Sequence, residues 1–147
     1  MKTIIFVCHG SICRSPAAAF IARQYLKELG RDNEFDIQIR ATSSEEIGND
    51  IYPPMKRELL NNNIKIDRHS AQRIDMYDYN DADYIFYMDE ENHHSLARMF
   101  GDSNKIKPIY EWTPSINEIE DPWYTGRYHL VLSQIIQCIK DILNNIE

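Results

Sequence analysis

Abundant cysteine, long apolar runs and surplus positive charge are all missing from this 147-residue chain, and each absence narrows the field. Three cysteines, an odd number, argue against a secreted disulfide framework and for a reducing cytoplasm. No apolar run approaches membrane-spanning length, and the N-terminal run Ile4–Val7 stops at Cys8, too short for the core of a secretory signal. The expectation is a cytoplasmic protein with no membrane partner. A net charge of −7 argues against a nucleic-acid partner. No internal repeat, linker or low-complexity tract interrupts the chain, so residues 1–147 are expected to form a single domain with 43% hydrophobic and 27% charged residues.

The charge is unevenly spread. The first 40 residues carry six Lys and Arg against four Asp and Glu, whereas the rest carries ten against nineteen. The non-acidic part contains the segment VCHGSICRSP, Val7 to Pro16. An apolar, β-branched run precedes it and a helical stretch follows it, so it reads as strand, loop, helix. Strands are expected at Thr3–Val7, Phe35–Arg40, Asp83–Met88 and near Ile106–Tyr110. Helices are expected over Pro16–Leu29, with Ser15 as N-cap and Gly30 as stop, over Met55–Asn62, Glu90–Phe100 and Arg127–Asn145. In the last helix Val131, Ile135, Cys138, Ile139, Ile142 and Ile146 make one apolar face, so Cys138 is read as core. Strands alternating with helices predict a parallel sheet covered on both sides, with ligands bound at the carboxyl ends of its strands.

Five residues separate Cys8 from Arg14, and such a loop can curl its backbone N–H groups around one anion, aided by the helix that follows. Arg14 offers a planar fork for two phosphate oxygens. Helix dipole and guanidinium both favour a thiolate at Cys8, and Ser15 can hydrogen-bond the sulfur. Thiolate plus anion cradle is equipment for attack on phosphorus. A Walker loop or dinucleotide fingerprint would need a lysine or further glycines, whereas this loop has only Gly10. A metal site from Cys8, His9 and Cys13 would set Arg14 against a cation, so none is expected. A proton donor for the leaving oxygen is offered by Asp121 in Asp121-Pro122-Trp123-Tyr124, where Pro122 keeps Asp121 out of helical geometry. Trp123 and Tyr124 supply aromatic walls.

Together, VCHGSICRSP, DPWY and DYIFYMDEEN resemble the low-molecular-weight protein tyrosine phosphatases, over essentially the whole chain. The resemblance implies a four-stranded parallel sheet with helices on both faces and a phosphate-binding loop after the first strand. It implies hydrolysis of phosphotyrosine in protein substrates, without cofactor or metal, by a monomer or weak homodimer. It makes Cys8 the nucleophile, Arg14 the phosphate clamp, Ser15 the thiolate partner and Asp121 general acid and then base. His9, Gly10, Ser11, Ile12 and Cys13 complete the loop, and His69 supports it. Glu45 falls on the pocket rim with Trp123 and Tyr124.

Ser11 stands where the family has asparagine, which accepts positive φ and pins the loop more readily. Ile12 favours tyrosine over the phosphoarginine branch, which has Thr there. No cysteine lies between Cys13 and Cys138, against the related thiol-dependent arsenate reductases. Cys13 reads either as a redox partner for Cys8 or as a buried filler. The seven acids of residues 75–91 read as a solvated loop and helix start, and His93-His94 as a solvated pair.

Overall fold

The apolar run at the N-terminus is buried from both sides, and that burial sets the architecture of the computed structural model, which describes residues 1–146. Strand β1 (Lys2–Cys8) points Ile4 and Phe6 to one face and Ile5 and Val7 to the other, as the period of two requires. It lies between β2 (Phe35–Ala41) and β3 (Tyr84–Tyr87), and β4 (Ile106–Pro108) completes an all-parallel sheet of order β2-β1-β3-β4. Lys2 is opposite Phe35, Ile4 opposite Tyr84 and Ile85 opposite Ile106.

The larger core joins Ile4 and Phe6 to α1 (Arg14–Glu28), α2 (Pro53–Asn61) and α6 (Tyr128–Asn145). Ala17, Ala18, Ala19 and Ala22 are fully buried and let α1 lie close to the sheet and α6. On the opposite face Ile5 and Val7 meet α3 (Met76–Asp81) and α4 (Glu90–Phe100) through Ala82, Tyr79 and Leu96. The expected strands and helices are present within a few residues of their predicted ends. Cys138 is fully buried, as its place on the apolar face of α6 predicted.

Three local readings are corrected. Helix α1 begins at Arg14, not Pro16, and Ser15 is not its cap; Cys13 occupies that position without a side-chain bond. The Ser15 hydroxyl is engaged by Cys8 and Ser11 instead. The acidic stretch from residue 75 contains a helix, because Asp75 and Asp78 form a reciprocal capping box. His93 is not simply solvated: its ring lies 4.6 Å from that of Tyr87 at 5°.

The free edge of β2 is blunted. Arg23 Nη2 donates to the Ile37 carbonyl at 2.6 Å and Arg40 Nη1 to the Ile39 carbonyl at 2.8 Å, while Ala41 pairs with Arg73. Because β2 and β3 flank β1 on opposite sides, the chain changes direction at the carboxyl end of β1. A crevice opens there, where such sheets bind ligands.

Phe86 is fully buried and packs against Phe6 and Tyr84, each with ring centroids 5.8 Å away. Phe86→Ala is expected to cost about 3–5 kcal/mol in chemical denaturation. Tyr77→Ala, at an 82% exposed position, is expected to stay within about 0.5 kcal/mol of the parent.

Candidate active site

The loop between β1 and α1 is held from outside by its carbonyl groups. Thr42 N–H donates to the Cys8 carbonyl at 3.0 Å, and Ser43 N–H and Oγ donate to the His9 carbonyl at 3.1 and 2.9 Å. His69 Nε2 donates to the Ser11 carbonyl at 2.6 Å, and Tyr52 N–H to the Ile12 carbonyl at 2.9 Å. Among the described residues, no protein acceptor takes the N–H groups of His9 to Cys13. Buried backbone donors need partners, and a run of them curled at a helix start is an anion nest.

Ser11 sits in the left-handed region at φ 61° and is fully buried. The serine is pinned despite lacking an amide: His69 holds its carbonyl, and its Oγ lies 3.0 Å from Ser15 Oγ. The Cys8 thiol donates to Ser15 Oγ at 3.3 Å while the Ser15 N–H reaches the same sulfur at 3.4 Å. Once Cys8 is ionised, the Ser15 hydroxyl can turn from the Arg40 carbonyl, 3.5 Å away, to donate to the thiolate. Burial lowers the pKa of His69 below its ordinary 6.5, against the opposing effect of its bond to Ser11. The neutral ring, protonated on Nε2, is sufficient for that bond. A Cβ at Gly10 would stand 3.1 Å from Glu46 Cγ, so the Glu46 side chain would have to shift by a few tenths of an ångström to admit one.

Arg14 has 2% of its surface exposed, and three groups receive it. Its Nη1 donates to Asp89 Oδ2 at 2.7 Å and to the Ile119 carbonyl at 2.8 Å, while Nη2 lies 3.6 Å from Asp121 Oδ2. Burial opposes its charge, but the surrounding Cys8, Asp89 and Asp121 outweigh burial and raise its pKa. Asp89 also holds the start of a helix, since its Oδ1 accepts the Asn92 N–H at 2.8 Å and caps α4. Its acidic segment predicts that helix start, whereas its partnership with Arg14 adds a functional residue that the motifs do not single out. The available signal is the need of a buried arginine for a carboxylate, with Asp89 already inside the DYIFYMDEEN segment.

Asp121 caps α5 (Pro122–Thr125) from extended geometry, φ −82° and ψ 110°. Cys8, the loop 9–13, Arg14, Asp121 and the rim residues Glu45, Glu46, Trp123 and Tyr124 surround one pocket of about 150 Å³. All the predicted site residues therefore meet there except Ser15 and His69, which stand behind the loop. Glu45 is paired with His9, whose Nε2 lies 2.9 Å from its Oε2. The Trp123 ring lies 4.7 Å from that of Tyr52, so the aromatic wall leans on the residue whose N–H holds Ile12. The three cysteines are free thiols, and burial pushes the Cys13 thiol well above its ordinary value. Cys13 is buried and lies on the wall of the same pocket as Cys8.

An anion nest at the end of the first strand, with a cysteine at its base and an arginine and a carboxylate beside it, defines an α/β protein built for cysteine-based phosphoryl transfer. The model of the low molecular weight phosphotyrosine protein phosphatase family matches residues 3–147. The chain is 30% identical to the low molecular weight protein-tyrosine-phosphatase YfkJ of Bacillus subtilis, over all of this chain and 97% of that one. Gallus gallus has a low molecular weight phosphotyrosine protein phosphatase 32% identical over 97% of this chain and 94% of its own. The crystal structure of YfkJ superposes with a TM-score of 0.95 over 99% of this chain and 94% of that chain. That of SP-PTP, a low molecular weight protein tyrosine phosphatase from Streptococcus pyogenes, is 31% identical and gives 0.90 over 100% and 94%. The chain belongs to the low molecular weight phosphotyrosine protein phosphatase family.

The two bonds of Asp89 separate two substitutions. Asp89→Asn keeps a cap oxygen but leaves Arg14 without its closest charge partner, and is expected to weaken orthophosphate binding, measured as competitive inhibition. Asp89→Ala is expected to lose, in denaturation, a further increment of about 1 kcal/mol for the cap.

Proposed function

We propose that this protein is a protein tyrosine phosphatase in which Cys8, Arg14 and Asp121 perform the chemistry and residues 1–147 act as one domain. The observation that carries the reading is the convergence of these three side chains on one pocket, with Arg14 Nη2 3.6 Å from Asp121 Oδ2. The phosphoryl group of the substrate enters the nest and its oxygens take the free N–H groups of the loop. Arg14, anchored by Nη1, offers its remaining N–H groups as a fork. These donors are aimed before the reaction begins, so little reorganisation is required as charge develops.

The Cys8 thiolate attacks phosphorus and the bond to the tyrosyl oxygen breaks, giving a cysteinyl-phosphate. Asp121, protonated on Oδ2, delivers its proton to the leaving oxygen; Oδ1 is occupied by the Trp123 N–H at 3.0 Å. Water then attacks phosphorus, Asp121 takes back a proton, and the sulfur leaves as a thiolate stabilised by the Ser15 hydroxyl and N–H. The charge on the phosphoryl group is met by Arg14 and backbone donors, so the reaction as proposed uses no metal or cofactor. Trp123 and Tyr124, 52% and 84% exposed, flank the substrate ring.

Phosphotyrosine-containing proteins are the substrates under this reading, and a monomer or weak homodimer is the working form. The net charge of −7 supports a role apart from nucleic acid. Reduced cysteines support a cytoplasmic location, and among the described residues no helix is long and apolar enough to cross a membrane.

Cys8→Ser is expected to abolish turnover of aryl phosphates while vanadate still binds. Asp121→Asn is expected to slow poor leaving groups by roughly 10²–10⁴-fold and activated ones far less, read from kcat/KM against leaving-group pKa. Near-normal turnover by the serine variant would refute the nucleophile.

The rim sets a second expectation. Glu46 and Glu45, the latter shared with His9, should disfavour acidic residues beside phosphotyrosine, and the bias should fade with added salt. Matched acidic and basic phosphopeptides at two ionic strengths measure it.

A further inference from the structure

The segment that carries Asp121 is tied at both ends. On its upstream side Ile119 is pinned through both backbone groups: its N–H donates to the Met88 carbonyl at 2.9 Å and its carbonyl accepts from Arg14. On its downstream side α6 packs into the main core through Val131 and Leu132. Between these anchors α5 has four residues, too few to hold a direction by its own hydrogen bonds. Gly126, at φ 72°, turns the chain into Arg127, the residue at the cap position of α6. The Arg127 side chain then folds back across the loop. Its Nε donates to Glu120 Oε2 at 2.8 Å and its Nη2 to Glu120 Oε1 at 2.5 Å. The residues immediately before Asp121 and immediately after Gly126 are thereby joined by a two-pronged bond. The Arg127 N–H also donates to Thr125 Oγ1 at 3.2 Å.

An exposed ion pair of this kind contributes little to global stability. Its geometry is another matter, because a fork on a carboxylate fixes direction as well as distance. Asp121 has one oxygen committed to the Trp123 N–H, which leaves Oδ2 as the oxygen near Arg14. A small swing of the loop would move that oxygen away from the leaving group, and misplacement by about 1 Å is enough to cost on the order of 10²-fold. The bond to Arg127 holds the Glu120 carboxyl below its ordinary range, so the pair persists in mild acid.

We propose that the Glu120–Arg127 pair is a positioning device for the general acid: it closes the loop 121–126 and keeps Asp121 Oδ2 over the phosphate pocket. Glu120 and Arg127 are positioning residues that touch no substrate. The proposal rests on the reading of Asp121 as the acid, and the test separates the two.

Glu120→Gln, Arg127→Gln and the reversed pair Glu120→Arg with Arg127→Glu are compared with Asp121→Asn and the parent enzyme. The readout is kcat/KM for aryl phosphates across leaving-group pKa, with thermal unfolding to register any loss of fold. Each single variant is expected to lose about tenfold with phosphotyrosine, a part of what a positioned acid is worth, and under about twofold with an activated aryl phosphate. The reversed pair is expected to recover most of that loss. Equal losses across leaving groups, or none, would overturn the proposal. Opposite shifts of the pH profile in the two single variants, with full rate at each optimum, would show that only charge is felt and would also overturn it. A flat leaving-group profile in Asp121→Asn would instead remove the assignment of the acid on which the proposal rests.

Discussion

Arg14 is a cation withdrawn almost wholly from water, and a buried cation requires matching charge and hydrogen-bond acceptors on every side. Three chain segments far apart in sequence supply them. Asp89 comes from the end of β3, the Ile119 carbonyl from the loop beyond β4, and Asp121 from the turn before α6. The pairing with Asp89 also fixes the start of α4, since that carboxylate caps the helix with its other oxygen. Arg14 therefore joins the carboxyl end of the sheet to the acid-bearing loop. Its Nη1 carries the bonds to Asp89 and Ile119, and Nη2 stands off Asp121 at 3.6 Å, so Nε and Nη2 still have N–H groups to offer an anion.

The phosphate loop follows an inverse logic. Its carbonyls are satisfied by Thr42, Ser43, His69 and Tyr52, all outside the loop, and the N–H groups are left for a ligand. Ser11 shows how the arrangement tolerates a residue of modest left-handed propensity. Strain at φ 61° is offset by the bonds that its carbonyl and hydroxyl make to His69 and Ser15. The hydroxyl chain from Ser11 to Ser15 ends at the Cys8 sulfur, so support of the loop and stabilisation of the thiolate share one network.

Much of the fold is legible in the chain because its signals are local. The run Ile4–Val7 has to be buried on both faces, and the three- and four-residue spacing in α6 admits one apolar stripe. Pro53 and Pro54 open α2 two residues ahead of the helix expected from Met55. Legibility ends where a side chain has two possible partners. Ser15 has the chemistry of an N-cap but is held by Cys8 and Ser11, so α1 starts one residue before it. Asp89 has the chemistry of a helix cap and is one, yet its other oxygen meets a guanidinium 75 residues away. His93 carries a polar ring that nevertheless stacks on Tyr87.

Residues adjacent in the chain are enough to set the strand–loop–helix with Cys8, Arg14 and Ser15, the parallel sheet, and Asp121 held extended by Pro122. In each of these, backbone restriction and hydrophobic period act over a few positions. The attachment of Arg14 to Asp89 and Ile119, the ties from Tyr52 and Thr42 to the loop, the pairing of His9 with Glu45, and the return of Arg127 to Glu120 follow from the folded chain alone. In each case many donors and acceptors in the sequence have compatible chemistry. The packing of helices on the sheet selects among them, because it alone sets which groups come within about 3 Å of one another.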